Sequence, residues 1–297
     1  MKLRRISNLI TLVAAFVLMV GDAVPALAAG GGAPKVTLLK SGKGKKAPLR
    51  YNFEAGQKGN FEMAMDMDMT VNGNGVVMPT MLMTMSYKLE KAIDSEWSLY
   101  SWKLTNVDIK KRPGSQDAMV APLKEQLAQM KGVKGTTEII TRGFSRNGTI
   151  DIPPSLPAEI AQMMSQMTDS VEQMAAPLPA EAIGVGGRWR VDMKLNKQGM
   201  SLTQTATYKL KKRTRNGFVA SVKFSQTAPK QVMKTAGSPT LEKLRGSGKG
   251  NLEVDLSKLA PKSSMALKVD IGVKSGEVSV GMNMGMKLRI KPGRAGK

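Results

Sequence analysis

Hydrophobic and polar positions alternate with period two along much of the chain, the signature of strands that bury one face. Phe61, Met63, Met65, Met67, Met69 and Val71 fall on one face of a single strand, and Glu62, Ala64, Asp66, Asp68 and Thr70 on the other. Asn72-Gly73-Asn74-Gly75 turns the chain and Met81, Met83, Met85, Tyr87 and Leu89 repeat the pattern, which predicts a hairpin. Near the C-terminus, Met265, Leu267, Val269, Ile271 and Val273 alternate up to Lys274-Ser275-Gly276. Val278, Val280, Met282, Met284, Met286, Leu288 and Ile290 continue beyond it as the second arm of another long hairpin.

A helical period occurs once in strength. After Pro153-Pro154, Ser155 can cap and Pro157 can enter the first turn, with Ile160, Met163, Met164, Met167, Val171 and Met174 at spacings of three and four. This predicts a helix over 157–175, ending before Pro177. A weaker helix covers about 117–131, with Met119, Leu123, Leu127 and Met130 on one side.

The chain also resembles itself. Tyr87-Lys88-Leu89-Glu90-Lys91 matches Tyr208-Lys209-Leu210-Lys211-Lys212, and Lys134-Gly135-Thr136-Thr137-Glu138-Ile139 matches Lys249-Gly250-Asn251-Leu252-Glu253-Val254. Trp97 and Phe218 follow their tyrosines at the same distance, and Gly59-Asn60-Phe61 resembles Gly187-Arg188-Trp189. Matches in the same order predict two related units. The expected fold is β-rich α+β: long antiparallel strands in a curved sheet or incomplete barrel, in two related units, with one or two amphipathic helices packed on it. The expected division is a signal peptide at 1–28, a flexible basic lead-in at 29–47 and a first β-unit at 48–152. A Pro-rich helical connector at 153–183, a second β-unit at 184–291 and a basic tail at 292–297 follow.

The first segment carries an address. Lys2, Arg4 and Arg5 precede an apolar run from Leu9 to Val20, and Ala26-Leu27-Ala28 offers the small residues of a cleavage site. The run is too short to span a bilayer, and no later stretch is apolar for long enough. The expectation is therefore a bacterial exported protein, periplasmic or secreted, cut after about Ala28, with no transmembrane segment after cleavage.

Charge and missing residue types narrow the chemistry. The formal net charge is +22, with neither cysteine nor histidine in the chain. Without cysteine there is no disulfide framework. Without histidine or cysteine there is no serine triad of the usual kind, no cysteine nucleophile and no His-based zinc site, so a non-enzyme with no cofactor is expected. A basic cytoplasmic chain would suggest nucleic acid; export directs the expectation to an anionic envelope component instead.

Two surfaces stand out. The 23 methionines could form a thioether site for Cu(I), but at core positions they read first as an adaptable apolar surface. The candidate apolar face comprises Met63, Met65, Met67, Met69, Met81, Met83, Met85, Met282, Met284 and Met286. The candidate anion-facing patch comprises Lys211, Lys212, Arg213 and Arg215 at a hairpin tip, with Lys287, Arg289 and Lys291 on the polar face of the last strand. Gly246-Ser247-Gly248-Lys249-Gly250 lacks the context of a phosphate loop and reads as a turn leading into a strand.

Leu49-Arg50-Tyr51-Asn52-Phe53 with Gly56, the methionine-alternating strands, Ala176-Pro177-Leu178-Pro179-Ala180-Glu181 and Ile183-Gly184-Val185-Gly186-Gly187-Arg188-Trp189 resemble an uncharacterised family of bacterial exported β-rich proteins. That resemblance implies export and a β-rich fold, and no site residues. A looser fold-level analogy is to periplasmic lipoprotein carriers, whose curved sheets hold acyl chains. The leading functional expectation is an exported soluble binding protein for an apolar or lipid-like ligand near an anionic envelope surface. A structural or interaction protein of the envelope with no small ligand is the alternative, and Cu(I) handling the third.

Overall fold

The computed structural model describes residues 34–154, 156, 175–197, 200–233 and 238–293. The signal segment, the final four residues and the helix expected over 157–175, apart from Ala175, lie outside these residues.

The alternating segments form long strands. They are β1 (Lys35–Lys40), β2 (Lys43–Ala47), β3 (Lys58–Val71), β4 (Asn74–Val77), β5 (Thr80–Ala92), β6 (Trp97–Lys110), β7 (Lys134–Ile140) and β8 (Ser145–Asp151). After them come β9 (Ile183–Val185), β10 (Arg188–Lys197), β11 (Met200–Arg213), β12 (Gly217–Ala228), β13 (Gln231–Val232), β14 (Thr240–Asp255), β15 (Lys262–Ser275) and β16 (Val278–Pro292). One helix, α1 (Asp117–Ala128), links β6 to β7 and buries Leu127, with Val120 and Leu123 packed against the core. Among the described residues, no helix is long and apolar enough to cross a membrane.

Fourteen strands make one antiparallel sheet in the order β1-β10-β11-β12-β14-β15-β16-β3-β5-β6-β7-β8, with β13 beside β14 and β4 beside β3; β2 and β9 make a separate pair. The sheet is an open path between two edge strands, β1 and β8. Two meanders, β3-β5-β6-β7-β8 and β10-β11-β12-β14-β15-β16, meet where β16 pairs with β3. Each carries a register shift at a corresponding place, between Leu89 and Lys91 on β5 and between Leu210 and Lys212 on β11. Such bulges bend a strand and raise its twist, curving the sheet. The buried side chains form a single cluster that includes the inward residues of both meanders.

Three local expectations change. Residues 35–47 are not a flexible lead-in: β1 pairs with β10 and β2 with β9, and Val36 and Leu38 pack against the core. The Gly-Lys composition hid the alternation of Val36 and Leu38. The first hairpin is indirect, because the Asn72-Gly73 turn, with φ +47° and +86°, leads into β4, which pairs with the end of β3 before β5 pairs with its beginning. Gly246, Gly248 and Gly250 lie inside β14 and not in a turn. A Cβ on Gly248 would lie 2.1 Å from the Phe224 ring, and one on Gly250 2.4 Å from Met265 Cγ, so large inward neighbours occupy the space of the missing side chains.

Candidate functional site

The methionine face lies at the centre of the sheet, on β16, β3 and β5. Met286 pairs with Met67 and Met284 with Met69, while Met63 pairs with Met83 and Met65 with Met81. Met65, Met67, Met69, Met83, Met85, Met282, Met284 and Met286 are between 2% and 8% exposed; Met63 and Met81 are partly buried. Flexible thioether side chains suit such a place, since they adapt their shape to close packing against one another.

The basic candidates serve several local roles. Arg213 Nη2 donates to the carbonyls of Ala47 and Ile183 at 2.7 and 2.6 Å, fastening the β2–β9 pair. Arg289 pairs with Asp66 at 2.9 Å, Lys287 lies directly opposite Asp66, and Lys291 lies opposite Glu62, so acids on β3 face the basic side of β16. Burial pushes Asp66 up, but the Thr80 hydroxyl, Arg289 and Arg112 outweigh it and hold the carboxyl below its ordinary value. Lys211, Lys212 and Arg215 are exposed at the β11 end. Four strand spacings of ~4.8 Å separate β11 from β16, so the structure does not gather the seven residues into one patch.

The distinctive Ala176–Glu181 motif is a clasp. Pro177 and Pro179 lack the N–H that a ladder needs, and side chains before and after the motif in sequence satisfy its polar backbone groups. Arg50 donates to the Pro179 and Ala180 carbonyls at 2.9 and 2.7 Å, Arg142 Nε to Leu178 at 3.2 Å and Trp189 Nε1 to Pro177 at 2.8 Å. Ala176 N–H donates to the Tyr51 hydroxyl at 2.9 Å, and burial pushes that phenol well above its ordinary pKa.

A groove of about 750 Å³ crosses the outer, polar face of β3, β5, β6, β7 and β8. Its centre is one hydrogen-bonded row, Gly59–Tyr87–Trp102–Gly135. A Cβ on Gly59 would lie 2.4 Å from the Tyr87 hydroxyl, and one on Gly135 2.6 Å from the Trp102 ring and 2.0 Å from the Thr149 carbonyl. The two rings pack beneath the two glycines on the buried face, in the space their missing side chains leave, so this row turns only backbone toward the groove. The flanking rows point outward: Lys58–Lys88–Ser101–Thr136 on one side, Asn60–Ser86–Lys103–Lys134–Asp151 on the other.

The register places like charges directly opposite one another, Lys58 across from Lys88 and Lys103 across from Lys134. Opposed like charges destabilise a ladder, so the fold alone disfavours this arrangement. Lys88 and the Ser101 hydroxyl both donate to Glu90, holding its carboxyl below the ordinary value, and Lys134 pairs with Asp151 at 3.3 Å. Four cations therefore face two acids. Ammonium groups and hydroxyls from five strands line the groove, a donor set suited to an anion with several oxygens. None of these lysines stood out in the sequence, since their opposition exists only once the strands are in register. The trace they left there is the shared Tyr-Lys and Lys-Gly pairs of the two self-similar stretches.

No curated protein sequence matches the chain. Among solved structures it is similar to lipovitellin, described as lipid-protein interactions in lipovitellin, at 14% identity and a TM-score of 0.42. The alignment covers 83% of this chain and 26% of that one, so the chain spans about a quarter of the lipovitellin chain's length. Over residues 162–258, which contain the clasp motif and β9 to β14, the chain is similar to a family of unknown function (DUF6263).

Proposed function

We propose that this chain is an exported, non-enzymatic binding protein, built from two related β-units, that holds an anionic ligand in the groove on its first unit. The observation that carries the reading is the pair of opposed lysine pairs, Lys58–Lys88 and Lys103–Lys134, along the two sides of the groove. An anion lying between them relieves the repulsion that the register imposes, so binding and local stability are linked. The signal pattern of the first 28 residues supports export, and the corresponding bulges on β5 and β11 support related units. The absence of histidine and cysteine from the chain supports a binding role over a catalytic one.

An apolar or lipid-like ligand against the methionine face is the second reading, favoured by the continuity of that face across β16, β3 and β5. It requires side chains to part that, apart from Met63 and Met81, are at most 8% exposed. Isothermal titration with inorganic tripolyphosphate at low salt tests the first reading. Saturable binding that weakens as salt rises, and by about tenfold in the K58Q/K103Q variant, is expected. Equal binding by the variant, or none by the wild type, would overturn it; a co-purified lipid with tripolyphosphate-insensitive binding would favour the second.

A further inference from the structure

The second meander repeats the outward chemistry of the groove, row for row. Counting from Tyr208 as from Tyr87, the neighbouring row reads Arg188–Lys209–Ser221–Asn251, against Lys58–Lys88–Ser101–Thr136. On the other side the row Arg190–Thr207–Lys223–Lys249 stands against Asn60–Ser86–Lys103–Lys134. Arg188 is again directly opposite Lys209, and Lys223 directly opposite Lys249. Two related sheets must share their inward residues in order to pack. They need not share outward cations, least of all in opposed pairs that oppose folding.

The second face is the more basic of the two. Where the first has Glu90 and Asp151, the second has Lys211 and Ala266 at the corresponding places, and β1 adds Lys40 opposite Arg188. The cations Lys40, Arg188, Lys209, Lys223 and Lys249 thus run across five adjacent strands, about 19 Å at ~4.8 Å per spacing. Ser221, Asn251 and Thr207 interleave with them, so hydroxyl and amide donors alternate with charges. Extended phosphate chains are held by this mixture of donors. The two rows contain no apolar side chain larger than Ala266, which favours a hydrated polymer over the acyl region of a membrane.

We infer that the outer face of β1, β10, β11, β12 and β14 is a second anion-binding surface, whose occupant is a linear phosphate-bearing polyanion. This rests on reading the chain as an anion-binding protein, but uses residues separate from the groove. The test is fluorescence anisotropy with labelled long-chain inorganic polyphosphate over a salt series, on the full chain and on the K223Q/K249Q and K58Q/K103Q variants. K223Q/K249Q is expected to bind about tenfold more weakly, with the slope of log affinity against log salt reduced by about two ions. Thermal melts at least as high as the wild type's will show that the loss is not unfolding. Unchanged affinity and slope in K223Q/K249Q, with weakened binding in K58Q/K103Q, would overturn this inference and leave the groove standing. Unchanged binding in both variants would overturn both readings, and tighter binding to phosphatidylglycerol vesicles than to polyphosphate at equal charge would overturn the polymer as occupant.

Discussion

Replacing Gly135 with alanine adds one methyl group on the buried face beneath the groove, where Trp102 and the β8 backbone leave no room for it. The new Cβ would stand 2.0 Å from the Thr149 carbonyl oxygen and 2.6 Å from Cζ2 of Trp102. A tolerable contact needs about an ångström more, and neither obstacle is the free end of a flexible chain. Thr149 belongs to the edge strand β8, and Trp102 is 3% exposed beneath the row. Overpacking of this kind costs about 1–3 kcal/mol. At ~2–4 °C per kcal/mol for a chain of this size, the melting temperature should fall by roughly 2–12 °C. Because β8 carries Thr149 and Asp151 on the groove wall, tripolyphosphate affinity should fall as well. The matched control is Gly285→Ala in β16, where a Cβ meets nothing within 4 Å and φ is not positive. That change restricts the unfolded chain and should raise stability by about 0.5 kcal/mol. Differential scanning calorimetry of the two proteins decides the matter: equal melting temperatures would show that the packing of the Trp102 ring against Gly135 is wrong.

Three further outcomes are expected. Met284→Ala and Met67→Ala should each cost about 2–5 kcal/mol in urea unfolding, as buried core residues do, and a loss below 0.5 kcal/mol would identify an open ligand face instead. Arg213→Lys should destabilise, because one ammonium cannot reproduce the guanidinium that serves both the Ala47 and Ile183 carbonyls; hydrogen exchange should rise first in β2 and β9. The Asp66 carboxyl titrates below its ordinary value of 3.8 in the folded chain, so it adds stability above that pH which is lost as pH falls through the folded value. Asp66→Asn should accordingly flatten the acid limb of the stability profile below about pH 4, and an unchanged limb would assign that loss to other carboxylates.

The strands were legible because a half-buried strand writes its burial in alternate residues. Phe61 to Val71, Met265 to Val273 and Met282 to Ile290 carry that pattern, and the structure buries or half-buries that face of each, whereas Val278 at the start of β16 is 63% exposed. Segments whose partners are distant in sequence were not. Lys35–Lys40 is a strand because β10 lies beside it, and nothing within those six residues announces a partner about 150 positions away. The glycines of β14 were misread for the related reason that Phe224 and Met265, on neighbouring strands, fill their side-chain space. The anion patch expected at 211–215 and 287–291 followed sequence clustering, whereas the register matches Lys287 and Lys291 with Asp66 and Glu62 on β3. Conversely, Lys58, Lys88, Lys103 and Lys134 show no clustering in sequence and meet only in the ladder.

Opposed lysines give a test that separates function from folding, because the two make demands of opposite sign. If Lys103 served stability, its removal would lower the melting temperature. Lys134 stands directly across the ladder from it, and the nearest acid in that row, Asp151, is already paired with Lys134. Lys103→Gln should therefore raise the melting temperature at low salt, by about one or two degrees if the repulsion is typical of opposed like charges. The gain should vanish at high salt, where screening removes the repulsion in the wild type as well. Tripolyphosphate binding should weaken in the same variant. Lys223→Gln, opposite Lys249, should behave likewise on the second face with long-chain polyphosphate. A stability gain without loss of binding would make these pairs an accident of a basic chain, while a stability loss would mean that the lysine stems contribute packing that outweighs their charge. Gain and loss together are the result that selection for anion binding requires, since only a ligand present in the folded state offsets a charge arrangement that the empty sheet disfavours.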